Sequence, residues 1–221
     1  MTLQSSGTIS ILDLRNEYGG SAPDSIGEYS PCIGITTGTI TSMSQFYGQS
    51  NPPTAYGQVY CGGYYVGTVK SCDPNRVWTG TYYIVLSPIA SGQATCTFAT
   101  GCWAIPIGVN NTIYNDGYYS TRVSPLTGSS YPAAYWTATR TINGYSDWYL
   151  GSSNEMSYVY YSNCYVPAGQ QMCNEEYWTA SWNYTYPSLA RTWSFPEGRY
   201  MCQLRVTAYK TRALRRVRAY F

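Results

Sequence analysis

The chain contains no histidine. That removes a Ser-His-Asp triad, a Cys-His nucleophile pair and any mixed cysteine/histidine zinc site. It has eleven carboxylates, with no pair marked by its spacing. Glu175-Glu176 and Asp147 are the groups that folding would have to join for acid–base work. The cysteines are Cys32, Cys61, Cys72, Cys96, Cys102, Cys164, Cys173 and Cys202, and no two are spaced C-x-x-C. An all-cysteine zinc site therefore has no support. Cys96 with Cys102, and Cys164 with Cys173, could close short loops. Free thiols in a reducing compartment are the equal alternative. There is no P-loop and no dinucleotide fingerprint. These residues imply neither catalysis nor a bound metal or cofactor.

Binding chemistry is better represented. Trp182-Asn183-Tyr184-Thr185-Tyr186-Pro187-Ser188 falls between two expected strands. It combines rigid aromatics with adaptable amides, the mixture that contacts glycans or proteins. Arg199 and Tyr200 follow the turn Pro196-Glu197-Gly198 and are candidates for the same surface. The structural alternative is a long hairpin whose aromatics pack on the chain itself or on a neighbouring subunit. Composition favours a surface role for part of the excess: aromatics make up 17% of the chain, with 26 tyrosines, while charged residues are only 11%. Tyrosine gives a large contact area at low entropic cost. So aromatic a chain is not disordered.

Charge gives no general case for a nucleic-acid partner, since the formal balance is +2. The cations are uneven, however. Eight of 13 lie at Arg191, Arg199, Arg205, Lys210, Arg212, Arg215, Arg216 and Arg218. They could form a phosphate-binding strip. The plainer reading is a terminal strand with its charges on a solvated face. No apolar stretch approaches a membrane span, so no membrane insertion is expected. Met1-Thr2-Leu3-Gln4-Ser5-Ser6-Gly7 has no basic lead or apolar run of an export signal.

Residues 1–50 differ from the rest, being Ser/Thr/Gly-rich and holding no tryptophan. Two related phrases occur there, Gly7-Thr8-Ile9-Ser10 running to Tyr18-Gly19 and Gly38-Thr39-Ile40-Thr41 running to Tyr47-Gly48. Each offers a Ser or Thr cap, a short amphipathic turn and a Gly for the helix end. Leu12, Leu14 and Tyr18, and then Met43, Phe46 and Tyr47, would be the docking contacts. Such short helices need a partner to lie on, so residues 1–50 read as a docking segment. Residues 51–56, containing Asn51-Pro52-Pro53-Thr54, read as a linker.

Residues 57–221 read as one α+β domain. Gly62-Gly63 separates two aromatic strands as a hairpin or bulge, and Thr81-Tyr82-Tyr83-Ile84-Val85-Leu86 is a third. Residues 90–130 read as loop, with Cys102-Trp103-Ala104-Ile105 and Thr112-Ile113-Tyr114 as buried pegs. A helix follows Ser130-Tyr131-Pro132, with Ser130 as its cap and Gly144 ending it. Ser152-Ser153-Asn154-Glu155 is a capping box opening a helix near 153–163. Strands are expected near 177–182, 191–195, 202–209 and 214–221.

The phrases at 9–19 and 40–50 resemble those that introduce tail, baseplate or fibre subunits of tailed bacteriophages. The ordered series of Gly62-Gly63-Tyr64-Tyr65-Val66, Gly144-Tyr145-Ser146-Asp147-Trp148-Tyr149-Leu150, Ser153-Asn154-Glu155-Met156, Tyr177-Trp178-Thr179-Ala180-Ser181 and Val217-Arg218-Ala219-Tyr220-Phe221 resembles the domain-of-unknown-function 1566 family. That family is related to the C-type lectin fold. The resemblance covers about residues 57–221. It departs at Gly151, where the family usually has Pro, and at Trp182, where it often has Glu. It implies a C-type lectin-like domain, two helices with antiparallel sheets, with Trp148, Leu150 and Trp178 in its core. The calcium-binding phrases of such lectins are missing here.

The expectation is therefore a non-catalytic phage virion protein of the tail fibre or baseplate, assembled in the host cytoplasm. Residues 1–50 would dock on other tail or baseplate proteins, and residues 57–221 would bind a host cell-surface glycan or protein. A homotrimer would add avidity to weak sites. The alternative is a structural tail, neck or capsid-decoration subunit whose aromatic surface makes assembly contacts.

Overall fold

The computed structural model describes residues 3, 6–18, 42–43, 52–70, 80–101, 116–122, 126, 128–183 and 185–219. The chain divides into two compact units, Met1–Thr54 with Arg218–Phe221, and Ala55–Val217.

In the first unit Ser10 starts helix α1 (Ile11–Tyr18). Asp13 N–H donates to Ser10 Oγ at 3.2 Å, while the Asp13 carboxylate accepts from Ser10 N–H and its hydroxyl, each at 2.7 Å. This reciprocal cap satisfies backbone donors that the first helical turn cannot. The bonds from Ser10 hold the Asp13 carboxyl below its ordinary range. Leu14 is fully buried, whereas Leu12 is 53% exposed, so only Leu14 turns inward. Met43 is half-buried. Phe46, Tyr47 and the side chain of Tyr18 lie outside the described residues.

The second unit is mixed α+β. Strands β1 (Val59–Tyr60) and β2 (Gly63–Lys70) form a hairpin. Cys61 and Gly62 occupy its two-residue turn with φ of 44° and 89°. Positive φ at both central positions matches the right-handed twist of the flanking strands. The order continues with β3 (Thr81–Leu86), helix α2 (Ile89–Gly92), β4 (Gln93–Thr97), α3 (Gly117–Arg122) and α4 (Pro132–Ala138). Next come β5 (Tyr149–Leu150), α5 (Ser153–Ser162) and a 3-10 turn (Asn163–Tyr165). The chain closes with β6 (Glu176–Trp182), β7 (Leu189–Ser194), β8 (Arg199–Leu204) and β9 (Ala208–Ala219). Among the described residues the nine strands form one sheet ordered β1-β2-β3-β9-β6-β7-β8, and β4 and β5 also pair with β9. The β6–β9 pairing is parallel through Tyr177 and Lys210.

Several expectations need correction. The cap of α4 is Tyr131, without a side-chain bond, and not Ser130. Gly144 does not end that helix. It pairs with Asn143 in a tight turn, φ 83° and 51°, closed by the Ile142–Tyr145 bridge. The stretch read as loop holds α2, β4 and α3, while Cys102-Trp103-Ala104-Ile105 and Thr112-Ile113-Tyr114 lie outside the described residues. The last two strands sit earlier than expected, with their turn at residues 205–207. Arg205-Val206-Thr207 contains no Gly, Pro, Asn or Asp, so composition gives no turn signal there.

Two apolar clusters make the core. Ile84, Leu86, Tyr149, Met156, Val159, Tyr177 and Leu214 belong to one. Phe98, Leu126, Tyr131, Leu150, Trp178 and Trp182 belong to the other. Trp148, Leu150 and Trp178 are buried as expected. An added Cβ at Gly151 would lie 2.4 Å from Leu214 Cδ1, which gives Gly151 a local reason. The terminal cations do not all face solvent: Arg205 and Arg212 are each 1% exposed.

Glu155 ties helices and strands together. Its Oε2 accepts Gly117 N–H at 2.9 Å and Ser152 N–H at 2.7 Å, and its Oε1 accepts the Tyr149 hydroxyl at 2.8 Å. Ser152 Oγ completes the capping box by accepting Glu155 N–H at 3.2 Å. Burial, and then the charge of Asp116, pushes the Glu155 carboxyl above its ordinary range, against the pull of the bonds from Ser152 and Tyr149. In the interval between the unfolded and raised folded values, the native state holds more protons than the unfolded chain. Stability from this group is therefore complete below the unfolded value and falls as pH rises through the folded one. Glu155→Gln should flatten that slope and also cost about 1–3 kcal/mol, because an amide cannot accept from all three donors. Urea midpoints taken from acid to neutral pH check this, and an unchanged slope would exclude Glu155 as its source.

Candidate binding surface

The surface is built where β6 gives way to β7. Asn183 Oδ1 accepts Thr185 N–H at 2.9 Å and Tyr186 N–H at 3.2 Å. This side chain thus takes the place of a backbone turn. Leu189 N–H closes the loop onto Tyr186 O at 2.9 Å. Tyr186 is left 60% exposed. Across the loop, Asn183 Nδ2 donates to Cys202 Sγ at 3.3 Å, and Arg205 N–H donates to Ser188 O at 3.1 Å. The loop is therefore fastened to strand β8.

β8 pairs with β7 in regular antiparallel register, from Leu189–Leu204 to Ser194–Arg199. Strand alternation puts Tyr200, Cys202 and Leu204 on one face. Tyr200 is 50% exposed. The Arg191 guanidinium, diagonal to it across the pair, lies 4.3 Å from its ring centroid. Such a contact adds about 0.5–1 kcal/mol at an exposed site and fixes both planes. On the other face, the Glu176 carboxylate accepts from Thr192 Oγ1 at 2.6 Å and from Gln203 Nε2 at 2.9 Å. One carboxylate thus locks β6, β7 and β8 together. Arg199 pairs with Glu197 at 2.6 Å at the exposed turn.

The structure brings Asn183, Arg199 and Tyr200 to the β7–β8 hairpin and its adjoining loop, which also carries Tyr186. Tyr184 lies outside the described residues. Trp182 is a correction: it is 3% exposed and belongs to the second core cluster. The cause is that β6 is buried on both faces from Tyr177 to Trp182, with Tyr177 in one core cluster and Trp178, Ala180 and Trp182 in the other. Arg191, Cys202 and Leu204 are the additions. Starting the last hairpin at residue 202 hid the Tyr200–Cys202–Leu204 row.

The other candidate chemistry disperses. Asp147 pairs with Arg215, Glu175 with Lys210 at 3.8 Å, and Glu176 serves its own sheet. Glu155 and Tyr149 are buried in the capping network, Tyr149 keeping its proton because burial, followed by Glu155, pushes its phenol well up. Among the described residues, no three His, Cys, Asp or Glu groups converge as metal ligands. Also among them, no helix is long and apolar enough to cross a membrane. Of the two alternatives for Cys164 and Cys173, a short-loop bridge or free thiols, the structure has free thiols, and both are exposed. Cys96 is also free, and burial pushes its thiol up.

No protein-family model matches the chain. No curated protein matches it either.

The placement of these rings separates core from surface energetically. Trp182→Ala should cost about 3–5 kcal/mol, the usual range for a buried aromatic truncation. Tyr186→Ala and Tyr200→Ala should each cost no more than about 1 kcal/mol. Urea unfolding of the three variants checks the ordering, and equal losses would contradict the assigned burial.

Proposed function

We propose that this chain is a virion protein of a tailed bacteriophage, in the tail fibre or baseplate, that binds the host cell surface without catalysis. The observation that carries the reading is the exposed surface of Tyr186 and the Arg191–Tyr200 stack beside the Asn183-closed loop. Aromatic and guanidinium planes give contact area at low entropic cost when they are already held in place. Here the holding is internal: Asn183 closes the loop and Glu176 locks the three strands. Nothing in the reading requires a metal or a covalent step.

In this proposal residues 57–221 are a C-type lectin-like domain related to the domain-of-unknown-function 1566 family. The antiparallel hairpins and the two helices α4 and α5 support that reading. Residues 1–50 dock the protein on other tail or baseplate proteins, with the capped α1 and its exposed Leu12 in support. Assembly as a homotrimer would multiply a weak surface affinity.

One observation favours a second reading. Leu204 and Val206 are 51% and 42% exposed at the end of β8. Exposed aliphatics beside an exposed strand suit burial against another virion subunit, as in a structural tail, neck or decoration protein.

Adsorption competition separates the two. The purified full chain, added to host cells before phage, should block adsorption in a dose-dependent way. The Tyr186→Ala/Tyr200→Ala double variant should lose at least about tenfold in potency, equivalent to about 1.4 kcal/mol. Absence of blocking, with these rings inaccessible to labelling in intact particles, would support the assembly reading instead.

A further inference from the structure

A concavity lies beyond the last turn of α5. Its volume is about 450 Å3, and its lining includes Tyr160, Tyr161, Asn163, Gln171, Asn174 and Phe195. That volume falls within the range of small-molecule sites, roughly 300–1,000 Å3. Its frame is fixed by one amide: Asn163 Nδ2 donates to Met172 O at 3.1 Å, and Met172 N–H donates back to Asn163 Oδ1 at 2.8 Å. Gln171 Nε2 is tied to Val166 O at 3.0 Å, so its orientation is also set.

The wall is aromatic and rigid. Tyr160 contacts Phe195 with ring centroids 5.7 Å apart and Trp193 at 6.1 Å. Its hydroxyl lies where a side chain at Gly198 would be, 2.7 Å from an added Cβ. Tyr161 packs edge-on against Tyr160 at 5.4 Å yet is 74% exposed. It therefore presents an open ring at the rim. Asn174 is exposed and has no side-chain partner among the described residues. Among the described residues, no charged side chain lines the cleft.

The geometry points to a binding site for a neutral pyranose. Such a sugar has an apolar C–H face that lies on an aromatic ring and a rim of hydroxyls that both donate and accept. Tyr161 supplies the ring. Asn174 supplies an amide matched to hydroxyls because it carries both a donor and an acceptor, and Gln171, whose Nε2 is engaged by Val166 O and Cys164 O, supplies its Oε1 as an acceptor. Among the described lining residues, an acidic sugar or a phosphate would find no cation to compensate its desolvated charge. This site is separate from the β7–β8 surface, but its use in host attachment rests on the function proposed above.

The test titrates the purified full chain with the methyl glycosides of glucose, galactose, mannose and N-acetylglucosamine, read by ligand-observed NMR. At least one should bind with a dissociation constant of about 1 mM, insensitive to salt. Tyr161→Ala should weaken it about tenfold. Tyr135→Ala, an exposed ring on α4, should leave it unchanged. Binding of N-acetylneuraminic acid at equal strength, or binding that survives Tyr161→Ala, overturns the assignment. So does the absence of binding by all four glycosides. Because this measurement needs no host cell, its failure beside successful adsorption blocking would overturn the cleft alone. Sugar binding with no blocking would keep the cleft and remove the receptor function.

Discussion

Strand β9 is the constraint on which the second unit depends, and Arg212 sits at its turning point. Residues 208–212 pair with β4, and the following Ala213 and Leu214 pair with β5. Ser87 N–H, just past β3, donates to Ala213 O at 3.0 Å. The Arg212 guanidinium fills the junction. Its Nε donates to Ser87 O at 2.8 Å, Nη2 also reaches Gln170 O at 3.0 Å, and Nη1 reaches Gln93 Oε1 at 3.2 Å. Burying a cation among neutral acceptors costs several kcal/mol in desolvation. That cost appears as a guanidinium value lowered to about 10 by burial. The group stays charged at neutral pH because a planar fork of five donors can meet several carbonyls at once. A lysine could not span the same acceptors.

The same logic accounts for the rest of the basic terminal strand. Arg215 pairs with Asp147 and lies 3.9 Å from the Tyr145 ring centroid. Arg216 contacts Asp116 at 3.2 Å and lies 3.8 Å from the Tyr118 ring centroid. Read as sequence, these cations suggest either a phosphate strip or a solvated face. Both readings assume that a chain with many arginines in one strand exposes them. Here the tyrosines accept the guanidinium faces, and backbone carbonyls and carboxylates take the N–H groups. Tyrosine richness and the basic terminus are two halves of one packing solution.

This also explains what was legible in the sequence. The Ser152–Glu155 capping box and the Ser10 cap are local devices, satisfied within a few residues, and they stand where local chemistry places them; the first hairpin turn, expected at Gly62-Gly63, falls one residue earlier, at Cys61-Gly62. The α5 helix follows from the capping box, whereas the burial of Trp148 and Trp178 is implied by the family resemblance and not by local chemistry. The hairpin β8–β9 was displaced because its turn, Arg205-Val206-Thr207, is specified by non-local bonds: Phe98 N–H and Ala99 N–H both donate to Arg205 O. The same displacement hid the Tyr200–Cys202–Leu204 row. Trp182 was different. Burial of β6 on both faces is set by non-local packing, and the aromatic appearance of the loop that follows obscured where that buried strand ends.

The internal use of charge determines what the surface can recognise. A chain with few charged residues that buries Arg205 and Arg212, and pairs Arg215 and Arg216, has little net field left for long-range steering. Contacts made by the Asn183 loop, by the Arg191–Tyr200 stack and by the cleft beyond α5 must act at short range. They act through ring faces, amide hydrogen bonds and shape. Such contacts discriminate by fit more than by charge, and salt screens them little. In the proposed function each such contact is individually weak, so strength would come from rigid presentation and from repetition in an oligomer. The fold supplies the first through the Glu176, Asn163 and Arg212 fastenings, which hold loops and strand ends before any ligand arrives.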